Sequence, residues 1–120
     1  MELKRDLVKY IRDKAKSKYK KGSECEICGD TVKLDFHHFY SLTRLVDKWV
    51  KEQNLEPYLV MEWREEFIDE HDAELYEYTV TLCHKHHLQL HSIYGKDPLL
   101  STAKKQERWV RIQRDKHGLV

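Results

Sequence analysis

The chain has 120 residues, of which 40% are hydrophobic and 36% charged, with a formal net charge of +1; this fits one soluble folded domain with a modest core. No apolar run comes near the ~18 residues of a membrane span, and the basic, polar N-terminus reads as no signal peptide, so a reducing cytoplasm is the expected setting. Three cysteines cannot all pair within one chain; in such a setting a Cys-x-x-Cys is more often a metal clip or redox pair, and a small core gains from a stapling metal.

Residues 2–20 predict an amphipathic helix. Leu3, Leu7, Val8 and Ile11 recur at helical spacing, Tyr10 and Ala15 lie near the stripe, and Gly22 supplies a terminator. Nine Lys/Arg between positions 4 and 21 stand against Asp6 and Asp13, so residues 1–22 form a basic helical segment. Cys25-x-x-Cys28-Gly29 follows: two thiols three apart, with a glycine for the tight turn, make half of a zinc knuckle. Val32, Leu34 and Phe36 alternate with Lys33, Asp35 and His37, a half-buried strand that delivers His37 and His38 at its end. Neighbours on a strand face opposite ways, so these two imidazoles are expected to do different jobs.

Residues 40–75 predict a helical insert. Ser41 or Thr43 caps a helix with Leu42, Leu45, Val46, Trp49 and Val50 on its apolar face, ending before Pro57. A second helix follows Tyr58, with Trp63, Phe67 and Ile68 inward and the eight acids of residues 62–77 outward. Tyr76, Tyr78, Val80 and Leu82 then alternate with Glu77, Thr79 and Thr81, a second strand running into Cys83. A helix to about Tyr94 comes next, ended by Gly95 with Pro98 beyond. Residues 99–117 form a final basic helix, capped by Ser101 or Thr102, with Ala103, Trp109 and Ile112 packing. No repeat or low-complexity linker divides the chain, so residues 1–120 read as one domain.

The chemistry concentrates in residues 83–91, which hold one thiol and four imidazoles. Cys83-x-x-His86, with Cys25 and Cys28, completes a Cys₃His set for a closed structural zinc. His84 competes for the fourth place but is poorly set to chelate beside Cys83; the plain alternative is three buried thiols with no metal. His87 and His91 are four apart on a helix and share one face. With His37 they make a three-imidazole site with open positions, the pattern of a catalytic metal. His38 is left free, and a neutral imidazole near pH 7 is suited to take a proton from water.

Basic ends around an acidic middle suggest a polyanion touching some faces only, with Lys16, Lys18, Lys20, Lys104, Lys105, Arg108 and Arg111 as candidate nucleic-acid contacts. Ordinary solvated helix faces would leave the same pattern.

These motifs together, Cys25-x-x-Cys28-Gly29, Leu34-x-x-His37-His38 and Leu82-Cys83-x-x-His86-His87-x-x-x-His91, resemble the HNH endonucleases, the ββα-metal nucleases that include colicin DNases, phage enzymes and homing endonucleases. The resemblance implies a small α+β protein: a ββα-metal core (residues 25–38 and 76–95) stapled by the Cys₃His zinc, flanked by N- and C-terminal helices and interrupted by the insert. It implies a metal-dependent DNA endonuclease with His38 as general base, His37, His87 and His91 holding the catalytic cation, and Cys25, Cys28, Cys83 and His86 the zinc. Mg²⁺ or Mn²⁺ is expected for nucleases of this type, whereas three imidazoles prefer a transition metal such as Ni²⁺ or Zn²⁺. The family usually places an Asn, which braces the loop bearing the general base, where this chain has Tyr78; the resemblance thus makes Tyr78 a catalytic-site residue, its hydroxyl the candidate brace. If the gene is phage-borne, the setting is the bacterial host cytoplasm. Two other readings share these residues: an HNH-like zinc module impaired in cleavage that binds nucleic acid or a partner, and a phage accessory protein whose acidic insert binds a host or phage protein. His71, His117 and Asn54 receive no role.

Overall fold

A computed structural model describes residues 3–54, 56, 59 and 62–118, with side chains from Val8 onward. The expected helix start at Glu2, the side chains of Leu3 and Leu7, the breaker Pro57, and Tyr58, after which the next helix is expected, lie outside what is described.

The first helix, α1, spans Leu3–Ala15 and tightens into a 3₁₀ turn at Lys16–Lys18, shorter than the expected 2–20. Its apolar stripe ends at Ala15, and Tyr19 leaves in an extended conformation to stack its ring on Phe36, centroids 4.7 Å apart. Gly22 therefore does not end the helix. Its N–H donates to Thr81 Oγ1 at 2.7 Å, and a Cβ there would approach that oxygen to 3.3 Å.

In the knuckle, Gly29 takes φ 76° and returns its N–H to the Cys25 carbonyl at 2.8 Å. Asp30 Oδ1 accepts from Val32 N, and Lys33 adopts φ 51°, so the strand starts late. Val32, expected inside, is 61% exposed. Strands β1 (Leu34–His38) and β2 (Thr79–Cys83) pair antiparallel in the register Leu34↔Cys83 to His38↔Thr79. Opposed residues share a face, so Phe36, His38, Thr79 and Thr81 lie on one side and Asp35, His37, Val80 and Leu82 on the other.

The second strand was expected from Tyr76. Instead Ala73–Glu77 forms a π-helical turn, because Leu75 is pulled fully into the core and Tyr76 donates its hydroxyl to the Ala15 carbonyl. Thr81, expected on the exposed side, is buried because the 22–26 segment crosses it, with Glu26 N donating to its carbonyl.

Helix α2 (Leu42–Gln53) is capped by Ser41, whose Oγ accepts from Arg44 N, and stops at Asn54 in a left-handed conformation. Helix α3 (Arg64–Glu70) buries Phe67 and Ile68, but Trp63 sits before its first turn and is 43% exposed rather than inward. Helix α4 (His84–Tyr94) follows β2 directly and ends at Gly95, φ 92°. A 3₁₀ turn, Leu100–Thr102, leads into α5 (Ala103–Lys116). There the buried stripe is Ala103, Gln106 and Val110, and Ile112 turns outward. Thr102 is no side-chain cap; its hydroxyl donates to the Leu99 carbonyl.

Two cores result. Helices α1, α2 and α3 and the π turn close over Ile11, Val46, Trp49, Phe67 and Leu75. The knuckle, sheet, α4 and α5 close over Ile27, Phe39, Leu82, Leu90 and Val110. Tyr40 packs against both, just beyond β1, so His37 and His38 end up at the seam. The fold is small and α+β, and among the described residues no helix is long and apolar enough to cross a membrane.

Candidate metal centres

Cys25 and Cys28 come from the knuckle, and Cys83 and His86 from the junction of β2 and α4. One ligand atom from each lies within 4.8 Å of all the others. Cys28 Sγ and Cys83 Sγ are 3.9 Å apart, and His86 Nδ1 lies 3.2 Å from Cys83 Sγ and 3.9 Å from Cys25 Sγ. Zinc–sulfur bonds of about 2.3 Å at the tetrahedral angle would separate sulfurs by about 3.8 Å, so the donor set fits a closed structural zinc. All three cysteines are free, and His86 is buried. Burial works to raise the Cys25 thiol, but backbone hydrogen bonds from Cys83, Cys28 and Ile27 hold it below its ordinary value. Burial and the neighbouring thiols push Cys28 up to about 11. Without a cation Cys25 loses its proton more readily than Cys28, and bound zinc would favour the thiolate at Cys28 as well. The rival fourth ligand, His84, stands outside the cluster, half-exposed, with Nδ1 3.0 Å from Asp35 Oδ2.

The second cluster is built from β1 and α4. His87 Nε2 lies 3.2 Å from His37 Nδ1 and 2.9 Å from His91 Nε2. The far nitrogen of each ring is anchored. His91 Nδ1 donates to the Gly95 carbonyl at 2.7 Å, His87 Nδ1 to Asp35 Oδ2 at 3.1 Å, and His37 Nε2 to Gln106 Oε1 at 2.8 Å. In the neutral form each ring gives its one proton to that acceptor, so the three converging nitrogens present lone pairs. Three lone pairs so close repel unless a cation sits among them, and metal–nitrogen bonds of about 2.0–2.1 Å would produce such spacings. Burial, opposed by the Gln106 hydrogen bond, lowers His37 to about 3, and burial also lowers His87. Asp35 stays below the ordinary carboxylate range: burial works to raise it, and the hydrogen bonds from His84 and His87 outweigh that.

His38 projects from the opposite face of β1, its ring edge-on to Tyr19 and Phe36. Its Nε2 donates to the Leu75 carbonyl at 3.1 Å, which leaves Nδ1 unprotonated. Burial lowers its pKa to about 4, with the Arg12 charge adding to the effect. A pocket of about 190 Å³ joins the two imidazole sets, lined by His37, His38, His87 and His91 and flanked by Arg12 and Lys96. Tyr78 does not hold His38. Its ring packs on Tyr40, 43% exposed, and only its backbone reaches the loop, accepting from Phe39 N at 3.1 Å.

A sequence-family model described as the nicking endonuclease family, of phage T5 type, matches residues 1–118. The chain belongs to the phage T5 nicking endonuclease family. No solved structure gives a significant match.

For a nicking endonuclease the substrate is DNA. Lys16, Lys18, Lys20, Lys104, Lys105, Arg108 and Arg111 are all exposed, and none lines the histidine pocket. Lys20 and Arg111 instead border a cleft of about 640 Å³ between the 20–26 segment, β2 and α5, which Glu24, Glu26 and Glu107 also line. The cations at the pocket are Arg12 and Lys96, neither of which the sequence pattern singles out. Asp35 had a signal, since it sits two residues before His37 and must share its face. Gln106 had one too, as a polar residue in an apolar helical stripe.

Proposed function

We propose that this nicking endonuclease is an HNH-type, ββα-metal enzyme that hydrolyses one DNA strand with a single divalent cation. The observation that carries this reading is the set of three imidazoles whose outer nitrogens are all anchored, so that their lone pairs converge beside a fourth imidazole with a free Nδ1. His38 Nδ1 takes the proton of the attacking water as its oxygen bonds to phosphorus, and the bond from phosphorus to the 3′ oxygen breaks. That oxygen then picks up a proton from solvent, and the products carry 5′-phosphate and 3′-hydroxyl ends. Arg12 and Lys96 hold the non-bridging phosphate oxygens and balance their charge. A cation held by His37, His87 and His91 would polarise the phosphate and offset charge on the departing oxygen. Leu75, through its carbonyl, keeps His38 in the tautomer that accepts at Nδ1. Cys25, Cys28, Cys83 and His86 would hold a structural zinc that fixes the start of α4. The exposed lysines and arginines of residues 16–20 and α5 would position the duplex through phosphate contacts.

Supercoiled plasmid incubated with Mg²⁺, Mn²⁺ or Ni²⁺ tests the reading. Conversion to open circles, slowed by about 10²–10⁴-fold in His38→Ala, is expected. No conversion with any cation, or equal conversion by the variant, rejects it.

A further inference from the structure

We propose that Gln106 is a positioning residue of the catalytic centre: it selects which nitrogen of His37 faces the cation, and it ties α5 to the strand end that carries His38. The inference rests on reading His37, His87 and His91 as cation ligands. Gln106 is fully buried, in a stripe whose other members, Ala103 and Val110, are apolar. A primary amide is tolerated there only if its polar atoms are satisfied, and they are. Nε2 donates to the Phe39 carbonyl at 3.1 Å and to Thr102 Oγ1 at 3.0 Å, and Oε1 faces His37 Nε2 at 2.8 Å.

These contacts admit one arrangement of protons. The Phe39 carbonyl can only accept, so the amide NH₂ must face it and the amide oxygen must face His37. An amide oxygen also only accepts, so His37 carries its proton on Nε2 and shows a lone pair at Nδ1. Nδ1 is the nitrogen that meets His87. Thr102 passes its own hydroxyl proton to the Leu99 carbonyl, so its oxygen is free to receive the second amide hydrogen. A flipped amide would set oxygen against oxygen at Phe39.

The same side chain also braces the loop after the general base. Phe39 directly follows His38; its N–H donates to the Tyr78 carbonyl and its carbonyl accepts from Gln106. The brace expected from the side chain at position 78 thus comes from α5, a segment far along the sequence.

Long-range ¹H–¹⁵N NMR on the wild-type protein, zinc retained and the second cation stripped, reads the His37 tautomer directly. The Nε2–H form is expected, and an Nδ1–H His37 overturns the proposal without any mutation. Gln106→Met keeps the volume and removes both donor and acceptor. Its Ni²⁺ affinity by calorimetric titration should fall about 10–100-fold while zinc stays at one per chain, and unchanged affinity overturns the proposal. Gln106→Glu restores an acceptor to His37 and should recover Ni²⁺ affinity to within a few-fold of wild type. If it binds as weakly as Gln106→Met, Gln106 is structural only. A wild-type protein that binds no cation beyond zinc removes the metal reading and this proposal together. Tight Ni²⁺ binding without plasmid nicking removes the proposed reaction and leaves the Gln106 role supported.

Discussion

The two clusters share helix α4 and differ in the donors they bring and in how open they are. The Cys₃His cluster takes four protein donors, three of them sulfur, and leaves no place for a further ligand. The three-histidine cluster offers three ring nitrogens and opens onto a pocket flanked by Arg12 and Lys96. Adjacent residues on a helix point about 100° apart, which is how His86 and His87 serve different clusters from successive positions. The lesson lies in the outer partners. The closed cluster is organised by its own ligands, whereas each ring of the open one is oriented by a separate anchor: Asp35, Gly95 or Gln106.

The largest effect should follow from breaking the closed cluster. Cys25→Ser is expected to lose its zinc and be unfolded at room temperature, since structural zinc can contribute ~10–16 kcal/mol to folding in small domains. Metal analysis and a circular dichroism melt check this; a folded, zinc-free variant would mean the thiols are only core residues. His91→Ala attacks the open cluster alone. The expected outcome is cation affinity weakened by more than the about 10–100-fold that losing an outer partner costs, with nicking abolished, zinc intact and the melting temperature nearly unchanged. A variant that unfolds instead would erase the distinction between the two clusters.

Arg12→Ala should leave both metal affinities alone and lower nicking kcat/KM by about 10–150-fold, the loss of a charge-assisted contact of ~1.5–3 kcal/mol. Equal rates would move the phosphate contact elsewhere. A further effect concerns pH. His38 is pushed from its ordinary 6.5 to about 4 by burial, so the unfolded chain takes up a proton that the folded chain refuses. Its contribution to stability is present above pH 6.5 and is lost as pH falls toward 4. Melting temperatures of the protein stripped of the second cation should fall more steeply over that window in wild type than in His38→Gln, and parallel curves would contradict the assignment.

Much of the site was legible because its spacing is local. Cys-x-x-Cys, Cys-x-x-His and a pair of histidines four apart fix geometry within one turn or one helix, and the structure brings Cys25, Cys28, Cys83 and His86 together as it does His37, His87 and His91. The apolar stripe of α2 and its Ser41 cap were legible for the same reason. Errors arose where a distant partner overrode the local pattern. Tyr76 reads as strand, yet its hydroxyl is claimed by α1 and the chain winds into a π turn. Val32 reads as inward, yet Lys33 turns the backbone before the strand begins. Ile112 fits one helical register, and the packing of Gln106 and Val110 chose another.

What the sequence determined by itself is the inventory: two donor sets, a further imidazole next to His37, and helices of segregated charge. Those follow from residue type and short spacing, which the backbone period converts directly into shared faces. What only the tertiary structure decided is which proton each histidine holds. That depends on a carbonyl at Leu75, a carbonyl at Gly95, a carboxylate at Asp35 and an amide at Gln106. Most of these anchors reach the rings across folded elements rather than along the chain, and a lone pair is turned toward a cation only once such partners have packed into place.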